Sequence, residues 1–367
     1  MRILYATGSK FHYCRTIFPE LERLGIDYGF LALDEHNGAR RLFSKRSGGS
    51  LGKYYLDDRF LASVRAQIAA FAPDIVHVTG LRGSLLKIVL AMQAFPQTAL
   101  VYERVSIGGQ NYFSPLDWWL FPNRRIDRVI MPSFSMLNQL TATAMRQRMF
   151  EASRAAVLHY AIPLPKPDPD ARAAWREKLG IAPDAFVVGT VCHYRKIKNV
   201  AFLARAAGLA RTDRPLVFLH VGGLVRDGDR REVGAATQGR AVFAGPIRAA
   251  ADLMPVFDLY ATPTRAPGES FGLAHAEAMS HGVATLCTTI GGPAEMTEDG
   301  VSGFVLPLVE KEWTQAIEWL AGDDELRVRM GAEGRRRIGS AFAPALAIER
   351  YLGVYRAAIA ARRATPA

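Results

Sequence analysis

Proline stands at every second position from Pro163 to Pro169, in the run IPLPKPDPD that spans 162–170. Each ring removes a backbone donor and fixes φ near about −65°, so neither a helix nor an inner strand can pass through. The run reads as an interdomain linker. Before it, strand-like and helix-like segments alternate: strands at Arg2–Ala6, Tyr28–Leu33, Ile75–Val78, Ala99–Glu103 and Val129–Pro132, helices at Tyr13–Leu24, Asp58–Phe71 and Leu81–Phe95. After it the alternation restarts, with strands at Phe186–Val191, Val217–Val221, Ala241–Phe243, Leu259–Ala261 and Ala284–Thr288. Such alternation predicts parallel sheets covered on both faces, an α/β fold. The restart predicts two Rossmann-like domains, 1–163 and 164–342, facing each other across a cleft. A chain of 367 residues is long enough for two separate cores.

Composition narrows the partners. Three scattered cysteines, Cys14, Cys192 and Cys287, form no C-x-x-C and exclude a disulfide framework or a Cys-rich zinc site; they fit a reducing, cytoplasmic setting. The opening MRILYATG reads as a strand entering a glycine turn, and its apolar part is too short for a signal peptide. The longest apolar stretch, Leu85–Phe95, is broken by Lys87 and Gln93 and is too short to span a bilayer. A net charge of +11 calls for an anionic partner. No nucleic-acid motif is present. Two segments suit the inner face of an anionic membrane, with the protein held peripherally. One is the basic, glycine-rich stretch His36–Tyr55. The other is Tyr112–Arg128, where Trp118, Trp119, Leu120 and Phe121 adjoin Arg124, Arg125 and Arg128. A solvated loop and a buried helix are their plainer readings.

The chemistry concentrates in Pro263–Pro307. Ser270–His281 reads as a helix opened by Gly268-Glu269-Ser270 and closed by Gly282. Its first amides lack partners inside the helix and sit at the positive end of the macrodipole, which suits a phosphate. Gly272 lets a ligand approach the backbone. Glu269 and Glu277 are eight positions apart, about 80° around a helix, so both carboxylates can face one cleft. Carboxylates accept from paired hydroxyls and therefore suit sugar or ribose diols. Two surface glutamates on a solvated helix would give the same isolated pair.

The flanking pattern separates those readings. ESFGLAHAEAMSHGVA, then GGPAE, then DGVSGFVLP resembles the donor-site signature of retaining glycosyltransferases of family four, within the glycosyl transferases group 1, over about 45 residues. The resemblance implies the GT-B architecture, with a last helix, Ala343–Arg362 in 343–367, packing back on the first domain. It implies that Glu269 faces the transferred sugar and Glu277 the donor ribose. Ser270, Phe271, Gly272 and Leu273 would then lie along sugar and diphosphate with their backbone amides, while Glu295 is structural. The same resemblance makes a second cluster, GTVCHYRKIKN at Gly189–Asn199, the phosphate-binding loop. The family places an arginine there and a lysine five residues later. Lys198 matches the lysine, His193 stands at the arginine's place, and Arg195 lies two residues on. Arg195 and Lys198 are the expected phosphate pair, with His193 as a further donor contact. Cations there would neutralise a diphosphate leaving group without a metal. The plain alternative is a basic loop at a strand end.

On the N-terminal side Gly8 ends the first strand, where the family's glycine loop meets donor and acceptor. The family's D-x-x-H-x-H pattern keeps only its first histidine, His77; Thr79 replaces the second, which alters the sugar contact, and His77 alone leans structural. Glu103, Arg104 and the loop 106–111 are placed toward the acceptor. Ser133 reads as a helix cap. No D-x-D run suits a metal-bound diphosphate; Asp168 and Asp170 lie in the linker. The expected activity is retaining, metal-independent transfer from a nucleotide diphosphate-sugar, with no cofactor, to a glycan or lipid-linked acceptor, in cell-surface polysaccharide or lipopolysaccharide synthesis. A GT-B epimerase and a non-catalytic membrane- or polysaccharide-associated binding protein are the rival readings.

Overall fold

The computed structural model describes residues 1–7, 16–31, 58–80, 82–105, 122–142, 151–248 and 250–364. The chain runs β1 (Arg2–Thr7), α1 (Phe18–Arg23), β2 (Asp27–Phe30), α2 (Asp58–Phe71), β3 (Ile75–Thr79), α3 (Arg82–Ala91), β4 (Ala99–Glu103), β5 (Arg128–Met131), α4 (Phe134–Thr141) and β6 (Ala155–Val157). It continues through α5 (Ala171–Lys178), β7 (Phe186–Val191), α6 (Val200–Leu209), β8 (Leu216–Val221), α7 (Asp227–Ala236), β9 (Ala241–Gly245) and β10 (Leu259–Thr262). Then come α8 (Leu273–Ser280), β11 (Ala284–Thr288), α9 (Gly292–Met296), β12 (Phe304–Leu306), α10 (Glu310–Gly322), α11 (Asp324–Ala341) and α12 (Pro344–Ala364).

The chain divides into two compact units. The first comprises 1–132, 137–159 and 344–367; the second comprises 133–136 and 160–343. Each holds a six-stranded parallel sheet, in the orders β2-β1-β3-β4-β5-β6 and β12-β11-β10-β7-β8-β9. The short edge strands β6 and β12 carry no sequence signal: each is three half-buried residues, too few to show alternation. Among the described residues no helix is long and apolar enough to cross a membrane.

Period-two alternation in the second unit's central strands fills two cores. Phe186 and Val188 of β7 point to the face covered by α6 and α10, with Phe202, Leu203 and Trp313. Val187, between them, points to the other face with Leu219, Phe257 and Tyr260. At the foot of this sheet the buried Asp258 carboxylate accepts from Arg176 Nη2 and Arg172 Nη2, both at 2.7 Å, and from Val187 N at 2.8 Å. This fastens α5, which follows the proline run, to the strand starts. In the segment 133–136, Ser133 Oγ accepts from Met136 N at 3.2 Å, and the Glu295 carboxylate accepts from Phe134 N and Ser135 N at 2.9 and 2.6 Å.

In the first unit α12 packs on β4 and α1. Its Tyr355 hydroxyl shares hydrogen bonds with His77 Nδ1 (2.5 Å) and Tyr5 OH (3.2 Å). Tyr351 OH donates to Glu103 Oε1 at 3.2 Å, and Glu103 Oε2 lies 3.0 Å from His77 Nε2. His77 and Glu103 have no solvent exposure, and burial pushes the His77 imidazole down to about 3. This corrects the acceptor-side placement of His77 and Glu103. Both side chains lie on the sheet face that the tyrosines of α12 cover, so they join sheet to helix inside one unit. Arg125 is corrected too. It is buried, its guanidinium donates to the carbonyls of Met92, Phe95 and Thr98 at 2.8–3.1 Å, and it is withdrawn from any membrane surface. Arg124, by contrast, has an exposed side chain. Gly8, 36–55, the aromatic cluster through Phe121 and the loop 106–111 fall outside the described residues.

Candidate functional site

Three neighbouring strands of the second unit, β7, β10 and β11, end in loops at the same carboxyl edge of the sheet. This edge is where open α/β sheets bind ligands. The β7 loop runs from Cys192 to Asn199. Cys192 N and Tyr194 N donate to Val221 O and Gly223 O, both at 2.9 Å, which pins it against the end of β8. That approach needs Gly222, at φ +143°, where a Cβ would lie 2.0 Å from Cys192 O. The loop closes in a 3-10 turn, Lys196–Lys198, and Asn199 in the left-handed region opens α6.

The β10 loop, 263–272, is tied to it: Arg265 N donates to Ile197 O at 2.8 Å. Gly272, at φ +90°, caps α8, and Leu273 is the first helical residue. The helix therefore begins three positions after the expected Ser270. A left-handed residue cannot continue a right-handed helix, so 269–272 remain loop. Glu269 is consequently off the helix, and the 80° relation to Glu277 does not apply.

The β11 loop locks the arrangement from the other side. Gly292 N donates to Glu269 O at 3.0 Å. The two backbones touch so closely that a Cβ on Gly292 would lie 2.2 Å from Phe271 O, and one on Gly291 2.7 Å from Glu269 N. The double glycine thus serves close backbone packing. The Phe271 ring is 1% exposed and packs edge-on against Tyr160, with centroids 5.0 Å apart. It anchors the loop from below.

These constraints bring the Lys198 ammonium onto the Glu269 carboxylate as an ion pair. The side chains are 26% and 15% exposed. Burial lowers the Lys198 pKa; Cys192 acts in the opposite sense, and Arg195 beside it lowers it further. Glu269 Oε2 lies 3.2 Å from the point where a Gly272 Cβ would stand, over the start of α8. Arg195 and His193 are exposed at the loop's outer edge. No acidic group pairs with Arg195 among the described residues. The His193 ring lies beside Gly223. Ser270 and Glu277 are half-buried, and Leu273 is 39% exposed. Thr79 and Arg104, at the ends of β3 and β4, are buried in the first unit.

One residue here had no assigned role in the sequence. His275, fully buried in α8, meets Thr262 Oγ1 at 3.1 Å through Nδ1 and Thr297 Oγ1 at 2.8 Å through Nε2. It pins the helix to the end of β10, and burial pushes its imidazole to about 3. Only the three-dimensional meeting of two threonines with it marks the position. Among the described residues no cluster of three or more His, Cys, Asp or Glu is placed to ligate a metal.

An open carboxyl edge, a helix start fronted by glycine and a lysine facing a glutamate suit an anion that also carries hydroxyls. Residues 182–323, which contain all three loops, match the model of the family described as glycosyl transferases group 1. The family match lies within the second unit. The chain is 31% identical over 237 residues to a D-inositol 3-phosphate glycosyltransferase of Saccharomonospora viridis, covering 59% of this chain and 54% of that protein. It is 25% identical over 278 residues to a GDP-mannose-dependent alpha-mannosyltransferase of Corynebacterium glutamicum, covering 72% of this chain and 63% of that one. The chain spans about half the length of the first of these relatives. In fold it matches the Anabaena protein HepE, crystallised with UDP and glucose, with a TM-score of 0.71 at 23% identity over 96% of this chain and 98% of HepE. The fold is therefore GT-B, shared with solved glycosyltransferases.

Proposed function

We propose that the chain is a retaining, metal-independent glycosyltransferase that moves a sugar from a nucleotide diphosphate-sugar to a glycan or lipid-linked acceptor, in cell-surface polysaccharide or lipopolysaccharide synthesis. The observation that carries the reading is the meeting of Lys198 and Glu269 at the left-handed Gly272 that opens α8. Lys198, Arg195 and the amides after Gly272 take the diphosphate and stabilise its charge as it leaves. Glu269 turns to the sugar hydroxyls, Glu277 to the ribose, and His193 adds a donor at the rim. Retention follows from the family resemblance, with attack on the face the leaving phosphate vacates and that phosphate assisting. The first unit is given to the acceptor, with Thr79 and Arg104 as its remaining candidates. A cytoplasmic enzyme held at the inner membrane face fits the charge of +11. The name of the GDP-mannose-dependent relative supports a nucleotide-sugar donor, and so does the UDP in HepE.

A thermal-shift panel of UDP-, GDP- and ADP-sugars in chelator tests the donor. One nucleotide class is expected to raise Tm by several degrees at about 100 times its Kd, a stabilisation of about 2.7 kcal/mol. No shift with any of them contradicts a donor site here. A shift that appears only with a divalent cation contradicts the metal-free reading.

A further inference from the structure

The Lys198 ammonium and the Glu269 carboxylate meet as an ion pair. Two long side chains on a surface often meet by chance, but these two are held. Lys198 comes from a turn closed by its own N–H to Arg195 O at 2.9 Å, and Glu269 from a loop clamped by Gly292 N. The loops are joined through Arg265 N and Ile197 O. The carboxylate also stands over Gly272, at the positive end of α8. The ammonium and the helix end are the groups that the proposed function gives to the donor's diphosphate. One anion has to leave them before another arrives.

We infer that Glu269 is a built-in competitor of the diphosphate: its carboxylate claims the same ammonium, yields it when a nucleotide sugar enters, and takes it back once the sugar has gone. This rests on the donor reading above. A nucleotide sugar offers the displaced carboxylate a new partner, the sugar hydroxyls. A nucleoside diphosphate displaces it and offers nothing in return. The pair therefore weakens the binding of spent nucleotide relative to donor and favours product release. A ligand shifts such an equilibrium only by its differential interaction with the two arrangements. Here that difference is the sugar.

Titration calorimetry of UDP, GDP and ADP tests the exchange on the wild type, Glu269→Gln, Lys198→Ala and the double variant, at one salt concentration. The nucleotide that binds the wild type is expected to bind Glu269→Gln roughly three- to tenfold more tightly, the range for removing a partly buried competing charge. The gain vanishes on the Lys198→Ala background. Glu269→Asp, which keeps the charge but shortens its reach, gives a smaller gain in the same direction and covers the case of an unstable glutamine variant. Binding to the wild type with unchanged or weaker affinity in both Glu269 variants overturns the exchange and leaves the donor reading standing. Failure of all three nucleotides to bind the wild type overturns both.

Discussion

Lys198→Ala is expected to lower kcat/KM for sugar transfer by on the order of 10²–10³, the usual loss when one preorganised group facing developing charge is removed. Lys198 is the most withdrawn cation of its loop, 26% exposed where Arg195 is open to solvent. A charge in a partly dry site acts more strongly than one in bulk water. Its removal leaves the diphosphate without its nearest counter-charge and the Glu269 carboxylate facing the same helix end. Both changes raise the barrier, so kcat falls and donor KM rises. The fold loses little, about 1 kcal/mol or less for a partly exposed pair. Glu269→Ala divides the effects differently: turnover is lost while nucleotide still binds, and binds more tightly, since the sugar contact and the charge competing for Lys198 go together. Steady-state kinetics with melting curves check both. A Lys198→Ala enzyme within a few-fold of wild type contradicts the assignment, and a chain with no turnover to lose points to the binding-protein alternative.

The second large effect is on stability in acid. His77 and His275 are held near about 3 and His220 near about 4, all by burial first. The unfolded chain takes up these protons near about pH 6.5 and the folded chain does so only at its lower values. Between those values the unfolded state binds more protons. The contribution is thus fully present above about pH 6.5 and is lost as pH falls toward the folded values. At about pH 4.5 each histidine costs about 2 kcal/mol, against total stabilities of about 5–15 kcal/mol. Urea melts at pH 7 and pH 4.5 read the sum. His77→Gln is expected to be less stable than wild type at pH 7 and to lose less between the two values. Equal losses in wild type and variant contradict a neutral, sealed His77.

Much of this was legible without coordinates. The bounds of α2, β4, β7 and β11 fall where apolar spacing and turn residues put them. The proline run marks the change of sheet, because a chain with alternate donors missing cannot enter one. What was not legible depends on contact across sequence distance. The start of α8 shifts because Gly272 adopts φ +90°, at a position where a Cβ would also meet Pro293 from the β11 loop. His77 and Glu103 lie 26 residues apart and read as strand-end polar groups; only the return of α12, with Tyr351 and Tyr355, seals them in. The pairing of Lys198 with Glu269 joins two motifs that were read separately, one for phosphate and one for sugar.

The most direct test is a crystal structure of the chain with the nucleotide sugar that gives the largest thermal shift. The account predicts the diphosphate within about 3 Å of Lys198 Nζ and of the amides that follow Gly272, with the Glu269 carboxylate turned from the lysine to the sugar hydroxyls. A diphosphate bound elsewhere, with Lys198 still closed on Glu269, would contradict it.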